Sequence, residues 1–179
     1  MASIAGLKDF TDRRRFHQKG RLVMPVFISY RHPDRLDAFV INERLKLEGI
    51  NTCLELFDPQ AQQTTDDICT LFNTNINACT HMITVLGQGG VDEWWIPFSL
   101  GSATQLNRRL AFYQCEGNLP GYLERWPTLT RREHIDLFVS AYHDEQTFRR
   151  AISKDAADTN RNNAEFFHTD LKARVRRGF

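Results

Sequence analysis

Val23-Met24-Pro25-Val26-Phe27-Ile28-Ser29-Tyr30 is a short, nearly continuous apolar run rich in β-branched and aromatic residues. A run with no polar alternation is the pattern of a strand covered on both faces. Arg31-His32-Pro33-Asp34 breaks it, and Asp34 is placed to N-cap a helix that carries Leu36, Phe39, Val40, Leu45 and Leu47 and is closed by Gly49. Ile50 to Leu56 then reads as a second strand, His81 to Leu86 as a third and Leu110 to Tyr113 as a fourth, with a helical stretch between each pair. That alternation implies an α/β fold: a parallel sheet with helices on both faces and right-handed crossovers. In such sheets ligands bind beyond the carboxyl ends of the strands. Here that rim comprises Ser29 to His32, Phe57 to Thr65 and Gly87 to Trp95.

The connecting segments carry weaker signals. Phe57 to Thr65 is polar and contains Pro59, so it is expected as an exposed loop, and Thr65 or Asp66 as the cap of a helix with the stripe Ile68, Leu71, Phe72 and Ile76. Gly87-Gln88-Gly89-Gly90 is a flexible loop that lacks the G-x-G-x-x-G register of a dinucleotide fingerprint. Thr128 to Thr130 reads as a short fifth edge strand, Arg131 to Ile152 as a helix, Asp155 to Asn163 as a loop and Asn163 to Arg177 as a last helix with a basic end. The expected organisation is an N-terminal helical extension over 1–22, an α/β domain over 23–151 and a C-terminal loop and helix over 152–179.

Composition excludes several classes of function. Of 179 residues 41% are hydrophobic and the net charge is +1, which suits one globular domain and gives no global attraction to nucleic acid or anionic membranes. Arg13-Arg14-Arg15 and the Lys172 to Arg177 end are local basic clusters that suit solvated helix faces. No apolar run approaches the roughly 18 residues of a membrane span, and the first residues lack the apolar core of a signal peptide. A cytoplasmic location is expected, with no membrane and no nucleic-acid partner. Cys53, Cys69, Cys79 and Cys115 show no C-x-x-C spacing and are expected as reduced, packed thiols. The six histidines form no H-E-x-x-H or H-x-H pattern, so no metal site is expected.

The most distinctive stretch is Glu93-Trp94-Trp95-Ile96-Pro97-Phe98-Ser99-Leu100-Gly101-Ser102-Ala103. Proline is tolerated in the first helical turn, where its missing N–H would have no partner, so Pro97 puts the helix start near Trp95 or Ile96. Two tryptophans at a helix mouth suit a ring-shaped ligand or a domain contact, and judged alone the pair reads first as core or interface anchors.

Three stretches together resemble a Toll/interleukin-1 receptor (TIR) domain of the bacterial type: Val26-Phe27-Ile28-Ser29-Tyr30-Arg31, the second strand with its Asp58-Pro59 loop, and Trp94-Trp95-Ile96-Pro97-Phe98-Ser99-Leu100-Gly101 before a small-residue helix. The resemblance implies a flavodoxin-like fold and, in many prokaryotic members, cleavage of the nicotinamide glycosidic bond of NAD. Products there are nicotinamide and linear or cyclised ADP-ribose, and the usual setting is antiphage defence. Carried over, Ser29, Tyr30 and Arg31 would line a nucleotide pocket, Phe57, Asp58 and the loop to Thr65 would gate it and mediate assembly, and Trp94 and Trp95 would flank it, Trp95 at the nicotinamide ribose. NAD or an ADP-ribose-like nucleotide would be substrate or ligand, with no further cofactor, and the chain is expected to form homo-oligomers. The family's catalytic glutamate follows that tryptophan by four residues, and the matching position is Ser99.

That departure matters because glycosidic cleavage builds positive charge on the ribose, which a carboxylate stabilises and a serine hydroxyl does not. A unit charge pair at 4 Å near a protein surface is worth about 4 kcal/mol, on the order of a thousandfold in rate. Glu93 is the nearest spare carboxylate, six residues before Ser99, and would need a rearranged loop to substitute. Three explanations stand open: a variant that binds without hydrolysing, an enzyme using different residues, or a disabling substitution. A non-enzymatic assembly module acting through homotypic contacts is the alternative function. A nucleoside deoxyribosyltransferase-like enzyme fits less well, lacking a clear nucleophilic glutamate. A phosphoacceptor receiver fits worse, because the first strand ends in Ser29-Tyr30-Arg31 and not in an acidic cluster.

Overall fold

The computed structural model describes residues 23–57, 64–87, 93–114, 119–151 and 157–178. The first strand, β1, spans Val26–Arg31 and is followed by a 3-10 turn, His32–Asp34, and helix α1, Arg35–Leu47. Next come β2 (Thr52–Phe57), α2 (Thr65–Ala78), β3 (His81–Leu86), α3 (Trp95–Gln105) and β4 (Arg109–Gln114). A 3-10 turn, Gly121–Arg125, leads to β5 (Thr128–Leu129), and α4 (Glu133–Ala151) and α5 (Ala157–Arg177) complete the chain. All four strand pairings are parallel, in the order β2-β1-β3-β4-β5. This is the flavodoxin-like order, whose ligand crevice lies where the connections leave β1 and β3 in opposite directions. The short β5 sits at the edge, as its sequence suggests.

Period-2 alternation along the strands divides the core into two layers. On one face Val26, Ile28, Tyr30, Ile83, Val85 and Ala111 pack against Ala38, Ile41 and Leu45 of α1, Phe138 and Tyr142 of α4, and Phe167 and Leu171 of α5. On the other, Phe27, Met82, Leu86, Leu110 and Phe112 meet Ile68, Phe72 and Ile76 of α2 and Trp95, Ile96 and Leu100 of α3. The apolar run that opens the sheet is therefore buried on both sides.

Helix ends show where local signals hold and where they yield. Gly49 closes α1 with φ +69, the left-handed conformation that favours glycine. The cap of α2 is Thr64, in place of the expected Thr65 or Asp66. Its hydroxyl accepts from the Asp67 N–H while the Asp67 carboxylate reaches back to Thr64, a reciprocal capping box. Asp34 stands at the N-cap of α1 but makes no capping hydrogen bond there. Its carboxylate is held by Arg31 instead, as described below. Helix α5 begins at Ala157, inside the polar stretch expected as a loop. Tertiary contacts outweigh the low helix propensity of that stretch: Ala164, Phe167 and Leu171 are buried, and Asn160 Oδ1 accepts from Arg109 Nη1 at 2.6 Å.

A buried charge cluster fastens α4 and α5 beneath the amino ends of β3 and β4. Arg109 donates to Glu145 Oε1 from Nε at 2.7 Å, and Nη2 lies 2.6 Å from the same oxygen. His81 Nε2 is 3.2 Å from Glu145 Oε2, its ring wedged among Phe138, Tyr142 and Phe167. Burial pushes the Glu145 carboxyl up, but the hydrogen bond from His81 and the neighbouring charges, Arg109 among them, outweigh it and hold it at about 2. Burial lowers the pKa of the His81 ring below its ordinary value. Among the described residues no helix is long and apolar enough to cross a membrane, Cys69 and Cys79 are free thiols, and Cys53 Sγ donates to Asn75 Oδ1 at 2.9 Å. Cys115, the N-terminal segment, Asp58 to Gln63 and Gln88 to Asp92 lie outside the described residues.

Candidate functional site

Three segments converge at the carboxyl end of the sheet: the end of β1, the residue after β3, and the entry to α3. Strand alternation points Ser29 towards the α2 and α3 layer with Phe27, and sends Tyr30 to the α1 layer. Ser29 Oγ donates to Thr84 Oγ1 at 3.1 Å across the β1 and β3 pair, both residues buried. Tyr30 lies 6.4 Å from the Phe39 ring of α1. The strand thus separates Tyr30 from Ser29, two neighbours that the sequence groups in one pocket wall.

Arg31 organises the charged part of the rim. Its Nε donates to Asp34 Oδ2 at 2.9 Å, and its Nη1 lies 3.8 Å from Glu93 Oε1. The 3-10 turn containing Pro33 folds Asp34 back over the strand end, so two carboxylates from different segments flank one guanidinium. Gly87, immediately after β3, makes the packing possible. A Cβ built there would overlap Asp34 Oδ1, come within 3.0 Å of Asp34 Cγ and lie 3.6 Å from Arg31 Nη2. Asp34 and Gly87 were not separable as site residues in the sequence, where Asp34 is a plausible cap and Gly87 one of a glycine-rich loop. The one available signal is the i,i+3 spacing of Arg31 and Asp34 across Pro33.

Helix α3 places its two tryptophans at different depths. Trp94 is the exposed one, at 42%, 6.2 Å from the Phe98 ring. Trp95 is wholly buried and stacks on Phe72, centroids 5.3 Å apart at 26°. Ser99 is wholly buried too, and its hydroxyl donates to the Ile96 carbonyl at 3.0 Å, within its own helix. A serine bonded back in this way has its donor engaged locally and presents no charge. Phe57 ends β2 opposite Arg31 in the register, which puts it at the same rim. Asp58 lies outside the described residues.

The structure therefore brings Ser29, Arg31, Phe57 and Trp94 to one end of the sheet, sets Trp95 and Ser99 in the packed layer beneath α3, and turns Tyr30 to the opposite face. Chemically, the rim holds one guanidinium between two carboxylates beside an exposed indole. Among the described residues no group of three or more His, Cys, Asp or Glu side chains is arranged to hold a metal ion.

Residues 26–152 match the family model described as TIR domain. No curated protein matches the chain. Among solved structures the chain is similar to a XylFII molecule, at 17% identity and a TM-score of 0.36, over 85% of this chain and 57% of that one. The chain thus spans a little over half the length of that structure.

Proposed function

This chain belongs to the TIR domain family, and we propose that it is a nucleotide-binding member of the bacterial NAD-cleaving branch that binds NAD or an ADP-ribose-like nucleotide at the carboxyl rim without efficient turnover. The observation that carries this reading is Ser99. It stands where the resemblance puts the catalytic carboxylate, and its buried hydroxyl is bonded to the Ile96 carbonyl.

Cleavage breaks the bond from the ribose anomeric carbon to the nicotinamide nitrogen. The bonding pair leaves with nicotinamide, and the ribose is left electron-deficient until water or a second nucleophile adds. An uncompensated anion beside that carbon is what lowers the barrier. At this rim the two described carboxylates, Asp34 and Glu93, are both engaged by Arg31. Arg31 would line the nucleotide pocket by the resemblance, and its guanidinium matches a pyrophosphate once the longer contact, to Glu93 at 3.8 Å, is given up. The binding half of this reading rests on the family resemblance, and acceleration lacks an uncompensated carboxylate at this rim. By the family resemblance the setting is antiphage defence.

The test is nicotinamide release from NAD by the parent chain and by Ser99→Glu, beside the shift in melting temperature that NAD produces. The expected outcome is stabilisation of both by NAD and release by the variant far above the parent's.

A second reading, assembly through homotypic contacts, is favoured by α1. Leu36 and Leu47 are 72% and 81% exposed, and Phe39 and Val40 lie on the same side of the helix. Sedimentation over a wide concentration range tests it: self-association that Leu47→Glu abolishes supports an assembly role, and a monomer at every concentration rejects it.

A further inference from the structure

A second cleft, of about 600 Å³, opens at the other end of the sheet, between the turn after α3, the residues before β5, and α5. Its volume is within the range of small-molecule sites. Arg108, Arg125 and Arg161 line it, with Glu165 as the one lining carboxylate, and Trp126 and His168 complete the wall. The formal balance of those side chains is three positive charges against one negative.

Among the described residues none of these arginines is held by a buried carboxylate. Arg108 is half-buried and donates to the Asn77 carbonyl at 3.1 Å, and among the described residues it has no carboxylate partner. Its enclosed Nε has no hydrogen-bond partner among the described residues. The nearby Cys79 cannot supply the missing charge, because burial pushes its thiol up to about 12. Burial also lowers the Arg108 pKa, the direction expected of a cation whose lost hydration no anion repays. Arg125 has no ion-pair partner among the described residues either, and its guanidinium lies 5.8 Å from the Trp126 ring centroid. Arg161 faces Glu165 at 3.4 Å, an open pair on the helix surface that contributes little.

The neutral members are fixed. Phe112 meets Trp126 edge to face at 6.1 Å and holds the indole as a planar wall. His168 Nε2 accepts from the Leu110 N–H at 2.8 Å, so the neutral ring carries its proton on Nδ1 and can donate from there. Burial and the surrounding cations hold that ring at about 4, which keeps it neutral near pH 7.

We propose that this cleft binds a small phosphomonoester, its dianion received by the guanidinium groups of Arg108 and Arg125 and the body of the molecule lying against Trp126. The excess of two positive charges matches a phosphate dianion, and guanidinium forks bind phosphate oxygens two at a time. The site lies at the amino end of β4, away from the rim of Arg31 and Glu93, and does not depend on what the rim binds.

Calorimetric titration of the full chain with AMP, ribose 5-phosphate, inorganic phosphate and adenosine tests it. AMP and ribose 5-phosphate are expected to bind at submillimolar concentration and adenosine not to bind. Affinity should fall as salt is raised. Arg108→Gln and, separately, the exposed Arg125→Gln should each weaken AMP on the order of tenfold, while Arg132→Gln, an exposed arginine outside both sites, should leave that binding unchanged. Trp126→Leu should weaken AMP more than inorganic phosphate. Three results would overturn the proposal: no phosphomonoester binding at millimolar concentration, AMP binding that survives both cleft arginine substitutions, or AMP binding weakened as much by Arg132→Gln as by Arg125→Gln. Should Arg108→Gln lower the melting temperature enough to confuse the comparison, Arg125→Gln decides alone.

Discussion

Gly87→Ala probes the packing that shapes the rim. Gly87 is not among the glycines with positive φ, so alanine meets no backbone penalty there and any cost is steric. The new methyl would overlap Asp34 Oδ1 and crowd Cγ at 3.0 Å. Asp34 has a short side chain, is buried, and is anchored on Arg31 Nε at 2.9 Å, so relieving the overlap means breaking that bond. A hydrogen bond to a charged group is worth about 1.5–3 kcal/mol and an overpacked site costs about 1–3 kcal/mol. Reduced freedom of the unfolded chain returns about 0.4–1 kcal/mol. The net expectation is a loss of about 2–4 kcal/mol, or roughly 4–16 °C in melting temperature for a chain of this size. Thermal denaturation followed by circular dichroism reads it, in a cycle with Asp34→Ala. Once the carboxylate is gone the methyl has room, so the double variant should be no less stable than Asp34→Ala alone. A Gly87→Ala protein within about 0.5 kcal/mol of the parent, or additive losses in the cycle, would show that Gly87 does not make room for the Asp34 carboxylate.

Three further outcomes are expected. Glu145→Gln removes the anion from a buried cluster and should cost about 3 kcal/mol at neutral pH in urea denaturation. Because the folded carboxyl lies below its ordinary value, its contribution is complete above that value, and the gap to the parent should narrow as pH falls towards about 2. His168, held at about 4, stays neutral in the native chain while the unfolded chain takes up a proton first. Parent stability should therefore decline as pH falls from the ordinary histidine value towards about 4, and His168→Gln should flatten that decline, read as urea midpoint against pH. Thr64→Ala should lower stability by about 1 kcal/mol in the same assay, with Thr65→Ala costing less, since the capping box belongs to Thr64.

Strand and layer order were legible because the signals are strong and local. His81 to Leu86 is apolar and bounded by turn residues, and it forms β3 over that same span. Caps were less legible: Thr64, Thr65 and Asp66 are all good cap residues in succession, and only the reach of Asp67 back to Thr64 selects one. Asp34 reads as a cap until Arg31, folded back across the 3-10 turn, claims its carboxylate. The start of α5 is set by Asn160 meeting Arg109, a contact of 51 residues' separation that no local window contains. The same holds for His81, Arg109 and Glu145, which lie far apart in sequence and together form a buried cluster. At the site, the sequence identified the segments that meet but not their depth. Helix α3 carries both tryptophans, and its rotation exposes Trp94 while burying Trp95 and Ser99.

The central question for this TIR domain is whether it holds NAD without cleaving it. The decisive measurement is nicotinamide release at saturating NAD by the parent and by Ser99→Glu, with the NAD-induced shift in melting temperature recorded on both proteins. NAD is expected to stabilise both, and release by Ser99→Glu to exceed the parent's by up to about a thousandfold, the worth of one carboxylate at the ribose. Release by the parent at a rate equal to the variant's, or no stabilisation of either protein by NAD, would contradict that expectation.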